Sequence, residues 1–189
     1  MISAILLAAG QSKRMNGENK LTKKIHGLPL INHSIKNILS SSIDELIIIL
    51  GHQKDSVEKL IDSNKKIKIV NNDDYKKGIA SSIIVGLNNL SKKSDAFFIC
   101  LGDMPFVNKK VYNKLIESIN IKEILIPTYK NIRGNPILFS KSMKEKLLNI
   151  DGDIGGKKII SKNNDKVHEI IIEEDSITKD LNTKDNFNF

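Results

Sequence analysis

Two short segments carry residue types able to handle a phosphorylated substrate. The first reads Leu7-Ala8-Ala9-Gly10-Gln11-Ser12-Lys13-Arg14-Met15 and runs on to Lys20. Small residues at 8, 9 and 10 leave the backbone bare, so its amides can approach an anion or a planar base closely. Arg14 and Lys20 add two positive charges to the same loop. A triphosphate needs that neutralisation, and needs it more as charge develops on the departing pyrophosphate. An arginine grips phosphate oxygens bidentately, whereas a lysine acts as a mobile point charge. Lys20, furthest along the loop, is therefore assigned to the α-phosphate, and Arg14 to the β- and γ-phosphates. No Gly-Lys-Ser/Thr follows the glycine, so this is not a Walker A loop. The glycines of a dinucleotide fingerprint are missing too. On the residues alone, a plain strand-to-helix turn with a lysine-rich surface remains an equal reading.

The second segment is Gly102-Asp103-Met104-Pro105, directly after the apolar run Phe97 to Leu101. A carboxylate at a strand's carboxyl end, facing a triphosphate, is well placed to hold Mg²⁺, which takes oxygen ligands and bridges carboxylate to phosphate. Gly102 lets the backbone turn and Pro105 stiffens the exit. An ordinary aspartate turn fits the same residues. Cys100 reads as a core residue.

Further candidates lie along the chain. Asn71, Asn72, Tyr75, Gly78, Ser81 and Ser82 lead into a helix, where the serines either cap it or present hydroxyls to a base edge. Arg133-Gly134-Asn135-Pro136 is followed later by Gly152-Asp153-Ile154-Gly155-Gly156, whose glycines can open amides to an anion beside Lys157 and Lys158. Asp180, Asn182 and Asp185 lie near the end of the chain. The histidines 26, 33, 52 and 168 share no metal spacing. His33 reads as structural, and His52 follows a strand at the binding edge.

The elements that must position these groups alternate. Strands are expected over Ile2 to Ala9, Glu45 to Leu50, Ile67 to Val70, Ala96 to Leu101 and Glu123 to Pro127, from continuous apolar runs. Helices are expected over Leu30 to Leu39, Lys54 to Ile61, Ser81 to Leu90 and Lys109 to Ile119. Later come a strand over Asn135 to Phe139, a helix over Ser140 to Leu148 and a strand over Val167 to Ile172. Strand, glycine turn and helix in repetition is the pattern of a parallel sheet covered on both faces. Ligands bind such sheets beyond the strands' carboxyl ends, at a switch point in strand order. Gly10, Gly51 and Gly102 all fall at such ends.

Composition bounds the remaining choices. The chain has 189 residues, 40% of them hydrophobic, which suits one globular domain over 1–189. No apolar run approaches the roughly 20 residues of a membrane span. Lys13 and Arg14 follow the first apolar run, whereas a secretory signal puts its charges first. One cysteine cannot form an internal disulfide, so a cytoplasmic location is expected. The net charge of +8 comes from lysines scattered in ones and twos, with only 5% aromatic residues. A nucleic-acid surface would cluster and interleave them. No nucleic-acid or membrane partner is therefore expected, and the field favours small anions in general.

The first loop, from Leu7-Ala8-Ala9-Gly10 through Ser12, Arg14 and Met15 to Lys20, resembles the signature of the nucleotidyltransferases related to the molybdenum-cofactor enzymes, the MobA-like NTP transferases. Gly102-Asp103-Met104-Pro105, the Asn72 to Ser82 stretch, Arg133-Gly134-Asn135-Pro136, the 152–156 loop and Asp180-Leu181-Asn182-Thr183 resemble further family segments, in order. Asn16 departs from the family's glycine, Asn182 from a carboxylate and Lys184 from a proline. The resemblance implies an α/β, single-domain, three-layer αβα sandwich with a mostly parallel, mixed sheet. The fold would be nucleotide-diphospho-sugar transferase-like, with a Rossmann-like first half. It implies nucleotide binding by Leu7, Ala8, Ala9, Gly10, Arg14, Lys20, Gly78, Ser81 and Ser82. Arg133, Asn135, Gly155 and Gly156 would take the acceptor, and Asp103 and Asp180 would hold Mg²⁺ or Mn²⁺. Arg14, Lys20 and Asp103 would be catalytic. Ala8-Ala9-Gly10 is similar to the cytidylyl-transferring branch, while the guanylyl branch carries Ala-Gly-Gly. The reaction implied is transfer of CMP from CTP to molybdopterin, for delivery to a molybdenum hydroxylase. GTP or another NTP, and a sugar phosphate acceptor, remain alternatives. So does a non-catalytic module that holds a cofactor for delivery.

Overall fold

A computed structural model describes residues 1–12, 15, 17–153 and 155–181. The first strand, β1 (Ile2–Ala8), is followed by a 3-10 turn at Lys20–Thr22 and a small antiparallel hairpin of β2 (Lys24–Ile25) and β3 (Leu28–Pro29). Then come α1 (Leu30–Leu39), β4 (Glu45–Leu50), α2 (Lys54–Glu58), β5 (Ile67–Asn71), α3 (Ile79–Asn88), β6 (Ala96–Leu101) and α4 (Lys109–Glu117). The remainder holds β7 (Ile124–Tyr129), β8 (Ile132–Arg133), β9 (Ile137–Ser140), α5 (Lys144–Leu148), α6 (Lys157–Lys162) and β10 (Val167–Ile171).

The main sheet runs β10-β7-β9-β6-β1-β4-β5, with β8 paired to β7. Strands β5, β4, β1 and β6 are mutually parallel. β9 runs antiparallel to both β6 and β7, and β10 parallel to β7. The sheet is therefore mixed but mostly parallel, as expected.

Strand periodicity sorts the side chains onto two faces. Ala4, Leu6 and Ala8 of β1 join Leu46, Ile48 and Leu50 of β4 and Ala96, Phe98 and Cys100 of β6 in one core cluster. That cluster also takes Leu30, Ile31, Ile35 and Ile38 of α1, Val57 of α2, and Val111, Tyr112 and Leu115 of α4. The alternate residues Ile5, Ile47, Ile49, Phe97 and Ile99 face the other way, against Ala80, Ile83 and Leu87 of α3, Leu147 of α5 and Ile160 of α6. Helices α1, α2 and α4 thus cover one face and α3, α5 and α6 the other, giving three layers. Gly86 lets α3 lie this close to the sheet, since a Cβ there would meet Ile5 Cγ2 at 2.4 Å.

Several element ends differ from expectation. α3 begins at Ile79 and not at Ser81, because Gly78 at φ 101° breaks the chain direction immediately before it. β9 begins at Ile137, past Pro136, which has no N–H to give a ladder. The helix expected from Ser140 opens as a 3-10 turn at Lys141–Met143 before α5. The β2–β3 hairpin was not expected. Its turn is His26-Gly27, both at positive φ (48° and 81°), the backbone that a two-residue hairpin demands. No helix among the described residues is long and apolar enough to cross a membrane.

Candidate active site

β1 is the switch point of the sheet. The chain leaves it towards β4 and β5 on one side and returns to β6 on the other. The loops after β1 and β6 diverge there, and a cleft of about 480 Å³ opens between them. That volume lies within the roughly 300–1,000 Å³ of ligand sites. Residues 7–12, Lys20, Leu21, Leu101 and Asp103 line one part of the cleft. Tyr75, Lys76, Gly78, Ile79, Ser82 and Asp153 line the rest.

The first loop is anchored from within. Ala8 and Ala9 bury their methyls in opposite core clusters, leaving backbone at the cleft. Ser12 takes a left-handed φ of 49°, and its Oγ accepts the backbone N–H of Lys20 at 3.1 Å. Met15 is buried. Asn19, also buried, caps the turn that carries Lys20 by accepting the Leu21 N–H at 3.0 Å, and donates from Nδ2 to the His52 carbonyl at 3.1 Å.

The second loop is held by α1. Ser34 Oγ donates to the Gly102 carbonyl at 3.2 Å, and Asn37 Nδ2 donates to the Pro105 carbonyl at 2.9 Å. These residues sit three apart on one helix face. From the other side, the Leu181 N–H donates to the Asp103 carbonyl at 3.0 Å. With both backbones fixed, the side chains meet: Lys20 Nζ forms an ion pair with Asp103 Oδ2.

Asp103 suits a divalent cation. It is a hard oxygen donor facing the cleft, and no cluster of three or more candidate ligands surrounds it among the described residues. A cation there would take one protein carboxylate and complete its shell with phosphate and water, which is the habit of Mg²⁺. The described lining carries both signs of charge, Lys20 and Lys76 with Asp103 and Asp153.

The other expected residues divide. Gly78 and Ser82 reach the cleft, but Ser81 does not line it. Buried Asn72 donates to both serine hydroxyls at 2.9 Å, and Ser81 Oγ donates to the Gly78 carbonyl at 2.8 Å. Ser81 is thus a helix-start residue. None of the four acceptor candidates lines the cleft. Arg133 Nε pairs with Glu169 at 2.7 Å and its Nη2 donates to Asn164 at 3.3 Å. Asn135 gives its backbone N–H to the Ile177 carbonyl. Gly155 packs on Ile79, and Gly156 lies against Phe139 and Leu147. Asp180 is exposed, one residue before the Leu181 contact to the Asp103 loop. Arg14, Asn182 and Asp185 lie outside the described residues.

Asp153 was named only within the 152–156 loop expected on the acceptor side, and the structure places it in the cleft. Its Oδ1 accepts the Ile79 N–H at 3.3 Å, and the Gly152 carbonyl accepts the Ala80 N–H at 3.0 Å, so this loop caps α3. Lys76 and Gln11 were passed over, for want of any spacing signal. His33 Nε2 lies 2.9 Å from the Ile25 carbonyl, and the His52 ring packs near Tyr75 at 6.0 Å; neither lines the cleft. Burial pushes the Cys100 thiol up to about 12, so it holds its proton as a core residue.

A three-layer αβα sandwich with a paired lysine and carboxylate at its switch point offers a cleft suited to a phosphorylated ligand. The sequence model of the MobA-like NTP transferase domain matches residues 4–167, and the chain belongs to that family of nucleotidyltransferases. It is 33% identical over 138 residues to the bifunctional protein GlmU of Thermosipho africanus, covering 70% of this chain and 29% of that protein. The chain thus spans under a third of the length of that relative. It is 26% identical over 160 residues to a probable molybdenum cofactor guanylyltransferase of Methanosarcina acetivorans, covering 82% of this chain and 70% of the relative. Among solved structures, the Rv0371c homologue from Mycobacterium sp. strain JC1 superposes with a TM-score of 0.89 at 25% identity, covering 98% and 92% of the two chains. Rv0371c of Mycobacterium tuberculosis H37Rv in complex with manganese superposes at 0.81 with 21% identity, covering 98% and 95%.

Proposed function

We propose that this nucleotidyltransferase moves the nucleoside monophosphate of an NTP onto the terminal phosphate of molybdopterin, releasing pyrophosphate. The observation that carries the reading is the Lys20–Asp103 pair, set at the switch point beside a bare backbone loop. An acceptor phosphate oxygen bonds to the α-phosphorus, and the bond to the bridging oxygen of the leaving pyrophosphate breaks. A phosphate monoester is already anionic near neutral pH, so no general base is needed. Lys20 neutralises the α-phosphate as charge develops there, and Arg14 the β- and γ-phosphates. Asp103 holds the cation, with the exposed Asp180 as a further candidate ligand. Mg²⁺ or Mn²⁺, when bound, neutralises phosphate oxygens as a Lewis acid. Manganese in the Mycobacterium tuberculosis relative supports a divalent ion of this size. The modified cofactor would pass to a molybdenum hydroxylase.

Two observations favour different bases. Ala8-Ala9-Gly10 resembles the cytidylyl branch and favours CTP. The guanylyltransferase name of the Methanosarcina acetivorans relative favours GTP as a second reading. Pyrophosphate release tests both, with the four NTPs at equal concentration against molybdopterin and a panel of sugar phosphates. CTP turnover above GTP with molybdopterin is expected. GTP equal to or above CTP would overturn the base assignment alone. Turnover confined to sugar phosphates would overturn the acceptor. Nucleotide binding without turnover of any acceptor would leave a delivery module.

A further inference from the structure

Lys20 and Asp103 are tied to each other, yet each is needed by a different partner. The Lys20 ammonium is wanted by phosphate and the Asp103 carboxylate by a divalent cation. We propose that Lys20 is the resident cation of Asp103 whenever the cleft is empty, so that metal and polyphosphate enter the site cooperatively by exchanging partners with this pair. The inference rests on the reading of this cleft as an NTP site.

Three observations carry it. The two side chains are paired and only 15% and 16% exposed, so neither charge is freely hydrated when left alone. Both backbones are held independently of the pair. Ser12 and Asn19 fix the Lys20 turn, while Ser34, Asn37 and Leu181 fix the Asp103 loop. The side chains can therefore exchange partners while the loops stay in place. Finally, the described lining carries both signs of charge, Lys20 and Lys76 with Asp103 and Asp153, so an incoming ion of either sign meets a like charge as well as an opposite one.

Breaking a poorly hydrated ion pair by removing one partner costs the other charge that compensation. A metal ion arriving alone must displace Lys20 and leave that ammonium beside a dication. A triphosphate arriving alone draws Lys20 away and leaves the Asp103 carboxylate facing phosphate oxygens. When both arrive, one pair becomes two, lysine with phosphate and aspartate with metal. Each ligand then raises the affinity for the other by the same factor, since binding coupling is reciprocal.

The test is a Mn²⁺ titration of the nucleotide-free protein, followed by electron paramagnetic resonance of the unbound ion. Lys20→Met and Lys20→Gln remove the resident cation. Both should bind Mn²⁺ more tightly than the wild type, within the roughly 5- to 150-fold typical of such coupling. A second arm needs neither variant to fold: Asp103→Asn should bind CTP or GTP in EDTA more tightly than the wild type, by a similar factor. Unchanged affinities in both arms, in a wild type that binds the Mn²⁺–nucleotide complex, would overturn the exchange and leave the NTP reading in place. A wild type that binds neither nucleotide even with Mn²⁺ would overturn both.

Discussion

A lysine that only anchors a substrate and one that supports developing charge leave different kinetic traces. Uniform binding, when lost, raises the Michaelis constant. A contact made mainly in the transition state, when lost, lowers turnover. On the proposed reading, Lys20 takes the second role. Its backbone is pinned by Ser12 and Asn19, and its ammonium already reaches the Asp103 carboxylate. Losing one such preorganised donor costs about 2.7–4 kcal/mol, roughly 100- to 1000-fold in rate. Lys20→Ala should therefore lower kcat by that factor with a modest change in nucleotide KM. Removing the ammonium also frees Asp103, which offsets part of the lost affinity. Steady-state kinetics with saturating Mg²⁺ check this. A KM effect with unchanged kcat would make Lys20 an electrostatic anchor.

Helix α3 is positioned by a loop 74 residues away, through Asp153 and the Ile79 N–H. Gly78 makes that docking possible. A Cβ there would meet Asp153 Oδ1 and the Gly152 carbonyl carbon and oxygen, all at 2.6 Å, at a φ of 101° that L side chains rarely adopt. Gly78→Ala must strain its own backbone and push a backbone segment aside, whereas Asp153→Ala only removes a cap. The cap is worth about 1 kcal/mol, and backbone strain adds about 1–3 kcal/mol. Thermal unfolding of the two variants should show Gly78→Ala the less stable. The nucleotide KM should rise in both, since Gly78 and Asp153 line the cleft. Equal stability would mean that the 152–153 segment yields without cost. These contacts also mark where the sequence ceases to be legible. Glu45–Leu50 and Ala96–Leu101 are read residue for residue, because strands buried on both faces are continuous apolar runs. Strands of two residues, such as Lys24–Ile25 and Leu28–Pro29, have no period to read. Lys20 and Asp103 are legible because each follows a glycine turn at a strand end. Asp153 is not, because only the folded chain brings it to α3. The pairing of Arg133 is illegible for the same reason: its partner Glu169 is 36 residues on, and the pair lies outside the cleft.

Over the whole molecule, 30 lysines and arginines outweigh 22 acidic residues, yet the cleft's described lining is balanced. The excess of lysines over the whole surface is available to pull a nucleotide in from a distance. Such a field acts over about a Debye length, roughly 10 Å at 0.1 M salt and about 3 Å at 1 M. The Lys20–Asp103 contact, by comparison, is short and mostly shielded from solvent, where screening is weak. Salt should thus separate the two contributions. Raising monovalent salt should increase nucleotide KM severalfold by weakening steering of the anion to the cleft, while kcat stays level because the chemistry runs among poorly hydrated groups. Initial rates at fixed Mg²⁺ and several salt concentrations check this. A KM indifferent to salt would mean the excess lysines serve hydration alone. A kcat that fell together with the rise in KM would mean that ions enter the cleft and compete for Lys20 itself.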